Sequence, residues 1–191
     1  SEMCIRDRMN ADNWKSNWIS VIDRDRDVSQ APYFINDFRL NKKIISASLY
    51  IASRGVYEAH INGVRVGDSF LTPGWTSYSN RIQYQAYDVK EMLTEGENRI
   101  GVVLADGWFK NFKPNQGNRI TDYGKSTSFI SEMIITYHDG SKESIIDDQN
   151  WNYHFGAIRS SSIYNGETID LNLHDHLWAH TSTQNNLSLI H

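Results

Sequence analysis

The chain has 191 residues, with 19 Lys and Arg against 23 Asp and Glu, and its formal net charge is −4. This mildly acidic balance without basic clusters argues against nucleic acid and membrane as partners, and no apolar run reaches the ~20 residues that a spanning helix needs. Aromatic residues make up 12% of the chain, including six Trp and ten Tyr, which favours strands and the flat faces on which sugar rings stack.

The beginning of the chain looks foreign to the fold. Its first eight residues, SEMCIRDR, resemble the translation of an adapter used in preparing DNA sequencing libraries. They contain Cys4, the sole cysteine, so neither a disulfide framework nor a thiolate site is expected. We expect residues 9–30 to form a lead-in, residues 31–175 a single β-rich domain, and residues 176–191 a truncated or frayed tail.

Short apolar segments separated by turn residues predict an all-β fold. In the segment 45–51, four residues alternate with Ser and Tyr and are expected to face the core: Ile45, Ala47, Leu49 and Ile51. Asn62-Gly63 stands between the strand-like runs 56–61 and 64–68, which is typical of a two-residue hairpin turn because both residues tolerate positive φ.

Further elements follow in chain order. Segments 82–89 and 99–104 predict two strands, joined by a connection in which Asp88 caps one helical turn and Gly96 ends it. The segment 106–124 lacks periodicity and forms the longest loop, where binding usually resides. Asp139-Gly140 predicts a second hairpin, joining 129–137 to 144–147, and Met133, Ile135 and Tyr137 share one face of it. The sequence GETID at 166–170 leads into a closing strand.

Three ordered stretches carry a family resemblance: LYIASRGVYEAHINGVRVGD, LTPGWTSYSNRIQYQAYDV and GENRIGVVLADGWF. With WKSNWI, APYFINDFRL and SSIYNGETIDLNL, they resemble the N-terminal domain of bacterial α-L-rhamnosidases from about residue 14 to residue 170. The resemblance implies an antiparallel jelly-roll β-sandwich of the galactose-binding-like kind. A looser similarity reaches the sugar-binding domains of β-galactosidase-like enzymes, but PGW at 73–75 and DGW at 106–108 favour the rhamnosidase type. The residues 169–172, Ile-Asp-Leu-Asn, depart from the family's Tyr-Asp-Ala-Arg.

Glycoside hydrolysis needs two carboxyl groups facing each other across the scissile bond. Asp147 and Asp148 would point to opposite faces of a strand and therefore do not converge. The resemblance places the catalytic acids in a separate helical barrel, so Glu167 is expected to be structural and this chain alone inactive. It also implies a periplasmic or secreted parent enzyme, with a glycan containing L-rhamnose and the other domains of that enzyme as partners.

The loops offer a candidate sugar site. Trp75 and Trp108 supply aromatic faces, and Arg81, Asp106 and Asn111 supply hydrogen-bonding groups. In the alternative, both tryptophans fold back as plugs on the end of the sandwich and the domain is a structural brace without sugar affinity. Exposure of the two tryptophans distinguishes these hypotheses.

No cofactor is expected. The seven His have no zinc-ligand spacing. Calcium is the alternative, because the resemblance implies it at the sugar site and one loop offers oxygen ligands from Asp106, Asn111, Asn115 and Asp122.

Overall fold

The computed structural model describes residues 14–21, 30–110, 123–124, 126–146 and 150–181. Nearly all of their regular structure is strand, in the following order: β1 (Ile19–Ser20), β2 (Pro32–Leu40), β3 (Ile44–Arg54), β4 (Val56–Ile61), β5 (Val64–Arg65), β6 (Gln85–Asp88), β7 (Gly96–Ala105), β8 (Ser128–Tyr137), β9 (Lys142–Ile146), β10 (Asn152–Phe155), β11 (Ile158–Ser162) and β12 (Gly166–Ile169). Two 3₁₀ turns, Lys90–Met92 and Leu171–Leu173, complete the regular elements of the described residues. The adapter-like segment 1–8 lies outside them.

Two five-stranded antiparallel sheets form a sandwich. In the first sheet, β8 lies between β3 and the short strands β1 and β9, and β6 follows β3 at the other edge; the second sheet has the order β10-β2-β7-β4-β5. Except at the β4–β5 and β8–β9 hairpins, each successive strand up to β10 crosses to the opposite sheet. This alternation confirms the predicted jelly-roll sandwich. The strands β11 and β12 form a separate hairpin.

The core lies between the two inner faces. Phe34 of β2 contacts Phe129 of β8 edge to face across the sandwich, with ring centroids 5.1 Å apart. Both side chains are almost fully buried, as are Leu49 and Ile51 of β3. The predicted face of Met133, Ile135 and Tyr137 also belongs to this core. Period-2 alternation therefore placed Leu49, Ile51 and the β8 face correctly.

One predicted core residue is wrong. Ile45 is 47% exposed, whereas Ala47, Leu49 and Ile51 are buried as expected. The register of β3 against β8 shifts between Ile44 and Ser46, so Ile45 is the extra residue of a β-bulge. A bulge interrupts the alternation of faces, and Ile45 consequently turns away from the core.

The predicted turn at Asn62-Gly63 is confirmed, with φ of 51° and 83° at the two residues. The Asn62 amide also donates to the Asn98 side-chain oxygen over 2.9 Å and to the Met92 carbonyl over 2.9 Å, and the Arg99 N–H donates to the Asn62 Oδ1 over 2.9 Å. The NG and GEN motifs, 36 residues apart, are thus two halves of one hydrogen-bond network. This network joins the β4–β5 turn to β7.

The connection between β6 and β7 is shorter than predicted. The strand β6 begins at Gln85 rather than residue 82, the 3₁₀ turn ends at Met92 rather than at Gly96, and β7 begins at Gly96 rather than residue 99. The predicted cap is wrong by one residue, because the N-cap is Val89, which has no side-chain oxygen; Asp88, the last residue of β6, nevertheless accepts a hydrogen bond from the Lys90 N–H over 3.1 Å. The hairpin at Asp139-Gly140 forms as predicted, with β9 at Lys142–Ile146.

The lead-in covers the outer face of the first sheet. The Lys15 N–H donates to a carboxylate oxygen of Glu132 over 2.9 Å, and Glu132 is only 1% exposed. Trp14 contacts Tyr84, whose ring in turn contacts that of Tyr50 on β3. Residues 14–21 therefore bury polar and aromatic groups that would otherwise face water.

Residues 176–181, assigned from the sequence to a frayed tail, cover the outer face of the second sheet. Trp178 lies against Gly101 so closely that an added Cβ there would meet its ring at 2.4 Å. The ring also contacts Tyr33 and His60, with centroids 5.1 and 5.2 Å away. Ala179 is 2% exposed. The segment is thus a packed part of the domain.

Candidate functional site

Trp75 is presented by a loop that is fastened to the second sheet. Thr72 forms a bridge with Tyr57 of β4, in which the Tyr57 N–H donates to the Thr72 carbonyl over 2.9 Å and the Thr72 hydroxyl donates to the Tyr57 carbonyl over 3.1 Å. The Thr72-Pro73 peptide is cis, and Gly74 has a φ of 90°. Trp75 follows this turn with 66% of its surface exposed.

Trp108 is presented by the turn that follows β7. The Phe109 N–H donates to the Asp106 carbonyl over 3.2 Å, which bends the chain directly after the strand. Gly107 has a φ of 55°, and a Cβ there would lie 2.8 Å from Val56. Only glycine suits this backbone conformation and this close approach. Phe109 points inward and is buried, whereas Trp108 is half-buried.

The two loops bring the tryptophans together. The rings of Trp75 and Trp108 are parallel to within 5°, and their centroids are 6.4 Å apart. Tyr78 and Phe109 close the sandwich end instead, since both are buried and their rings meet edge to face at 5.1 Å. Burial raises the pKa of Tyr78 to about 12, so this residue is a neutral plug at neutral pH. The aromatic residues of the loops thus divide into plugs and displayed faces.

Asp106 is buried at the base of the Trp108 turn, with 5% exposure. Its carboxylate lies 3.3 Å from the Lys110 ammonium, which is similarly buried, and its N–H donates to the Ser161 hydroxyl of β11 over 3.3 Å. Neither Lys110 nor Ser161 was predicted from the sequence to belong to this site. The spacing of four between Asp106 and Lys110 could have indicated the ion pair, but nothing near Asp106 in the sequence points to Ser161.

Of the other two residues predicted to bind sugar, the structure describes Arg81 but not Asn111. Arg81 is exposed, and it ends a turn in which its N–H donates to the Ser77 carbonyl over 2.9 Å while its carbonyl accepts from the Thr76 hydroxyl over 2.7 Å. Asn111 lies outside the described residues, as do Asn115 and Asp122 of the predicted calcium loop.

Within the described parts of the chain, no three His, Cys, Asp or Glu side chains are grouped to hold a metal ion. None of the helices described there is long and apolar enough to cross a bilayer.

A comparison with models of protein families assigns the chain to a family. The family model described as the α-L-rhamnosidase N-terminal domain matches residues 42–188. The chain belongs to this family. The resemblance inferred from the sequence motifs is thereby confirmed, and the rhamnosidase-type reading of PGW and DGW agrees with it.

Curated relatives of this rhamnosidase domain are much longer proteins. An α-L-rhamnosidase of Formosa agariphila is 34% identical over 183 residues, which is 91% of this chain and 20% of the relative. An α-L-rhamnosidase of Streptomyces avermitilis is 38% identical over 147 residues, or 74% of this chain and 14% of the relative. The chain therefore spans about a fifth or less of the length of these two enzymes.

Solved structures of α-L-rhamnosidases also contain a region that superposes on this chain. The native α-L-rhamnosidase of Aspergillus terreus superposes with a TM-score of 0.84 at 35% identity, covering 91% of this chain and 20% of that one. The Streptomyces avermitilis α-L-rhamnosidase complexed with L-rhamnose superposes with a TM-score of 0.74 at 36% identity, covering 81% and 15%. The rhamnosidase domain described here is therefore similar to one portion of each of these larger enzymes.

Proposed function

We propose that this chain is a non-catalytic accessory domain of a bacterial α-L-rhamnosidase and that it binds glycans containing L-rhamnose. The observation that carries the proposal is the parallel pair of Trp75 and Trp108, brought together from two loops with one ring largely exposed. A sugar ring presents a C–H-rich face that packs on such an indole surface. The relative crystallised with L-rhamnose supports the choice of this sugar.

The polar groups around the pair have distinct roles in this proposal. Arg81 is exposed on the same loop as Trp75 and donates to the sugar hydroxyls. Asn111, which lies outside the described residues, is proposed to do the same. Asp106 acts from beneath, because its buried pairing with Lys110 holds the turn that carries Trp108.

Titration of L-rhamnose against the purified chain tests the proposal, with Trp fluorescence and calorimetry as readouts. We expect a spectral change and weak saturable binding, a loss of about tenfold or more in affinity for Trp75→Ala, and partial retention for Trp75→Phe, since a large aromatic anchor typically contributes above about 1 kcal/mol. Repeating the titration with a chelator tests for calcium. The control is Tyr153→Ala, which removes an aromatic residue of similar exposure, 51%, from β10 at the opposite edge of the second sheet.

Two outcomes would contradict sugar binding at this site. One is the absence of any fluorescence or heat change up to high millimolar L-rhamnose. The other is an equal loss of affinity in Trp75→Ala and Tyr153→Ala, which would indicate a general effect on the fold.

The second candidate function is a brace that orients the rest of the parent enzyme without binding sugar. It is favoured by the burial of Asp106, because a carboxylate that is 5% exposed and paired with Lys110 is poorly placed to meet a ligand. Under this candidate the titration gives no signal, while the domain still contributes to the stability of the whole enzyme. The two candidates are therefore separated by the same experiment.

A further inference from the structure

The end of the β11–β12 hairpin and the turn after it expose three apolar side chains that lie close together in the sequence. Ile169, Leu171 and Leu173, which we call the leucine patch, are 48%, 78% and 45% exposed. All four residues of β12 are exposed, and its outer edge has no strand partner among the described residues. Clusters of this kind on a soluble domain are usually covered by another protein surface.

The leucine patch is held in place by hydrogen bonds. The Asp170 N–H donates to the Ala157 carbonyl over 2.9 Å, which fastens the segment to the chain just before β11. The Asp170 carboxylate then accepts from the Asn172 N–H over 3.0 Å, and the Leu173 N–H donates to the Asp170 carbonyl over 3.1 Å. A capped turn presents Leu171 in a defined orientation, as a preorganised docking surface requires.

The outer faces of the two large sheets are better protected than the leucine patch, although the loop after β5 also exposes Phe70 and Leu71. Parts of the outer faces of both large sheets are covered by the chain's own segments, residues 14–16 and 176–181, through contacts such as Trp178 on Gly101. The leucine patch begins at the last residue of β12, ends before the second of these segments, and is left exposed. The described residues therefore leave this surface available for docking.

We propose that the leucine patch packs against the domain that follows this one in the same polypeptide. The proposal depends on the accessory-domain role but not on sugar affinity. The matched family is an N-terminal domain, and the relatives are at least five times longer than the part this chain matches, so most of such an enzyme follows this domain. The patch ends at residue 173, directly before the last packed segment, so a following domain is tethered close to it at high effective concentration.

The chemistry of the patch indicates what the covering surface offers. Exposed carboxylates stand on either side in the sequence, with Glu167 two residues before Ile169 and Asp175 two residues after Leu173. Interfaces between domains of one chain combine an apolar centre with polar surroundings. The covering surface accordingly has an apolar recess for Leu171 and basic groups at its rim.

Hydrogen exchange and thermal unfolding test the proposal on two proteins, the complete product of the gene and the 191-residue chain. Residues 166–173 should exchange about tenfold or more slowly in the complete protein. Leu171→Asp should abolish that protection and lower the melting temperature of the complete protein by several degrees, while the isolated chain melts as before. Val64→Asp is the matched control, since Val64 is 58% exposed on β5 at the far edge of the second sheet.

Several outcomes would overturn the proposal. These are equal exchange of residues 166–173 in both proteins, equal effects of Leu171→Asp and Val64→Asp, or a gene that ends with this chain. Dimers of the isolated chain that Leu171→Asp dissociates would assign the patch to a second copy instead. Failure of the docking proposal is distinguishable from failure of the sugar-binding proposal, because Leu171→Asp is expected to keep the L-rhamnose affinity of the isolated chain.

Discussion

Replacing Asn98 with Ala should destabilise the domain more than most polar substitutions. Asn98 is fully buried, and its side chain bonds to three separate parts of the chain. Its Oδ1 accepts from the Asn62 amide and from the Thr94 N–H, both over 2.9 Å, and its amide donates to the carbonyls of Thr94 and Gly96 over 2.8 and 3.0 Å. The single residue thus joins the Asn62-Gly63 turn, the connection after the 3₁₀ turn and the start of β7.

The size of the effect follows from the groups that lose a partner. A buried polar group left unsatisfied costs about 1–3 kcal/mol. Thr94 is exposed and Gly96 half-buried, so water can replace part of what they lose, while the Asn62 amide keeps the Met92 carbonyl. We therefore expect Asn98→Ala to lower the free energy of unfolding by about 3 kcal/mol, which corresponds to roughly 6–12 °C in melting temperature for a domain of this size.

Urea unfolding followed by Trp fluorescence measures this change, and thermal unfolding followed by circular dichroism checks it. The control is Asn41→Ala, because Asn41 is exposed and its side chain bonds only to the exposed Arg39 in the described structure. That variant should stay within about 0.5 kcal/mol of the parent chain. An equally small effect for Asn98→Ala would refute the view that this network fastens the turn to β7.

Two further predictions concern the outer face of the second sheet. Gly101→Val should displace Trp178, because even a Cβ would lie 2.4 Å from its ring. We expect faster hydrogen exchange in residues 176–181 and a free energy of unfolding that is lower by about 1–3 kcal/mol. Unchanged exchange in these residues would contradict the packing of this segment. The hydrogen bond from His60 lowers the pKa of Glu58 below its ordinary 4.5, so the stability that Glu58 contributes is present above pH 4.5 and is lost as the pH falls below it. Glu58→Gln should therefore flatten the acid side of the stability profile, and an unaltered acid limb in urea midpoints would count against this linkage.

Much of the fold could be predicted because its signals are local. Alternation placed Leu49, Ile51 and Met133 in the core, and the positive-φ preference of Asn62-Gly63 placed the first hairpin. Ile45 was misplaced because a bulge depends on the register against β8, about ninety residues later in the chain. A rule based on neighbouring residues contains no information about such a partner.

The candidate site was predictable in its residue types but not in its arrangement. Trp75 and Trp108 were singled out because each follows a turn-forming glycine motif, and the structure brings their rings into a parallel arrangement. The environment of Asp106 was not predictable, since its N–H bonds to Ser161, which lies on a hairpin 55 residues away in the sequence. The packing of residues 176–181 was missed for a similar reason, because a polar tail gives no sign that Gly101 leaves room for an indole ring.

The hydrogen bond between the Asp106 N–H and the Ser161 hydroxyl connects the two surfaces proposed for this domain, the tryptophan pair and the leucine patch. Asp106 begins the turn that carries Trp108, and its N–H donates to Ser161 on β11, the strand paired with β12 just before the leucine patch. A displacement of the hairpin by a docked domain would therefore act directly on the base of the Trp108 turn. Because coupling between sites must be reciprocal, sugar bound at the tryptophans would strengthen or weaken the docking by the same factor. Ser161→Ala removes this hydrogen bond and leaves both surfaces otherwise intact, so any such coupling should decrease in that variant.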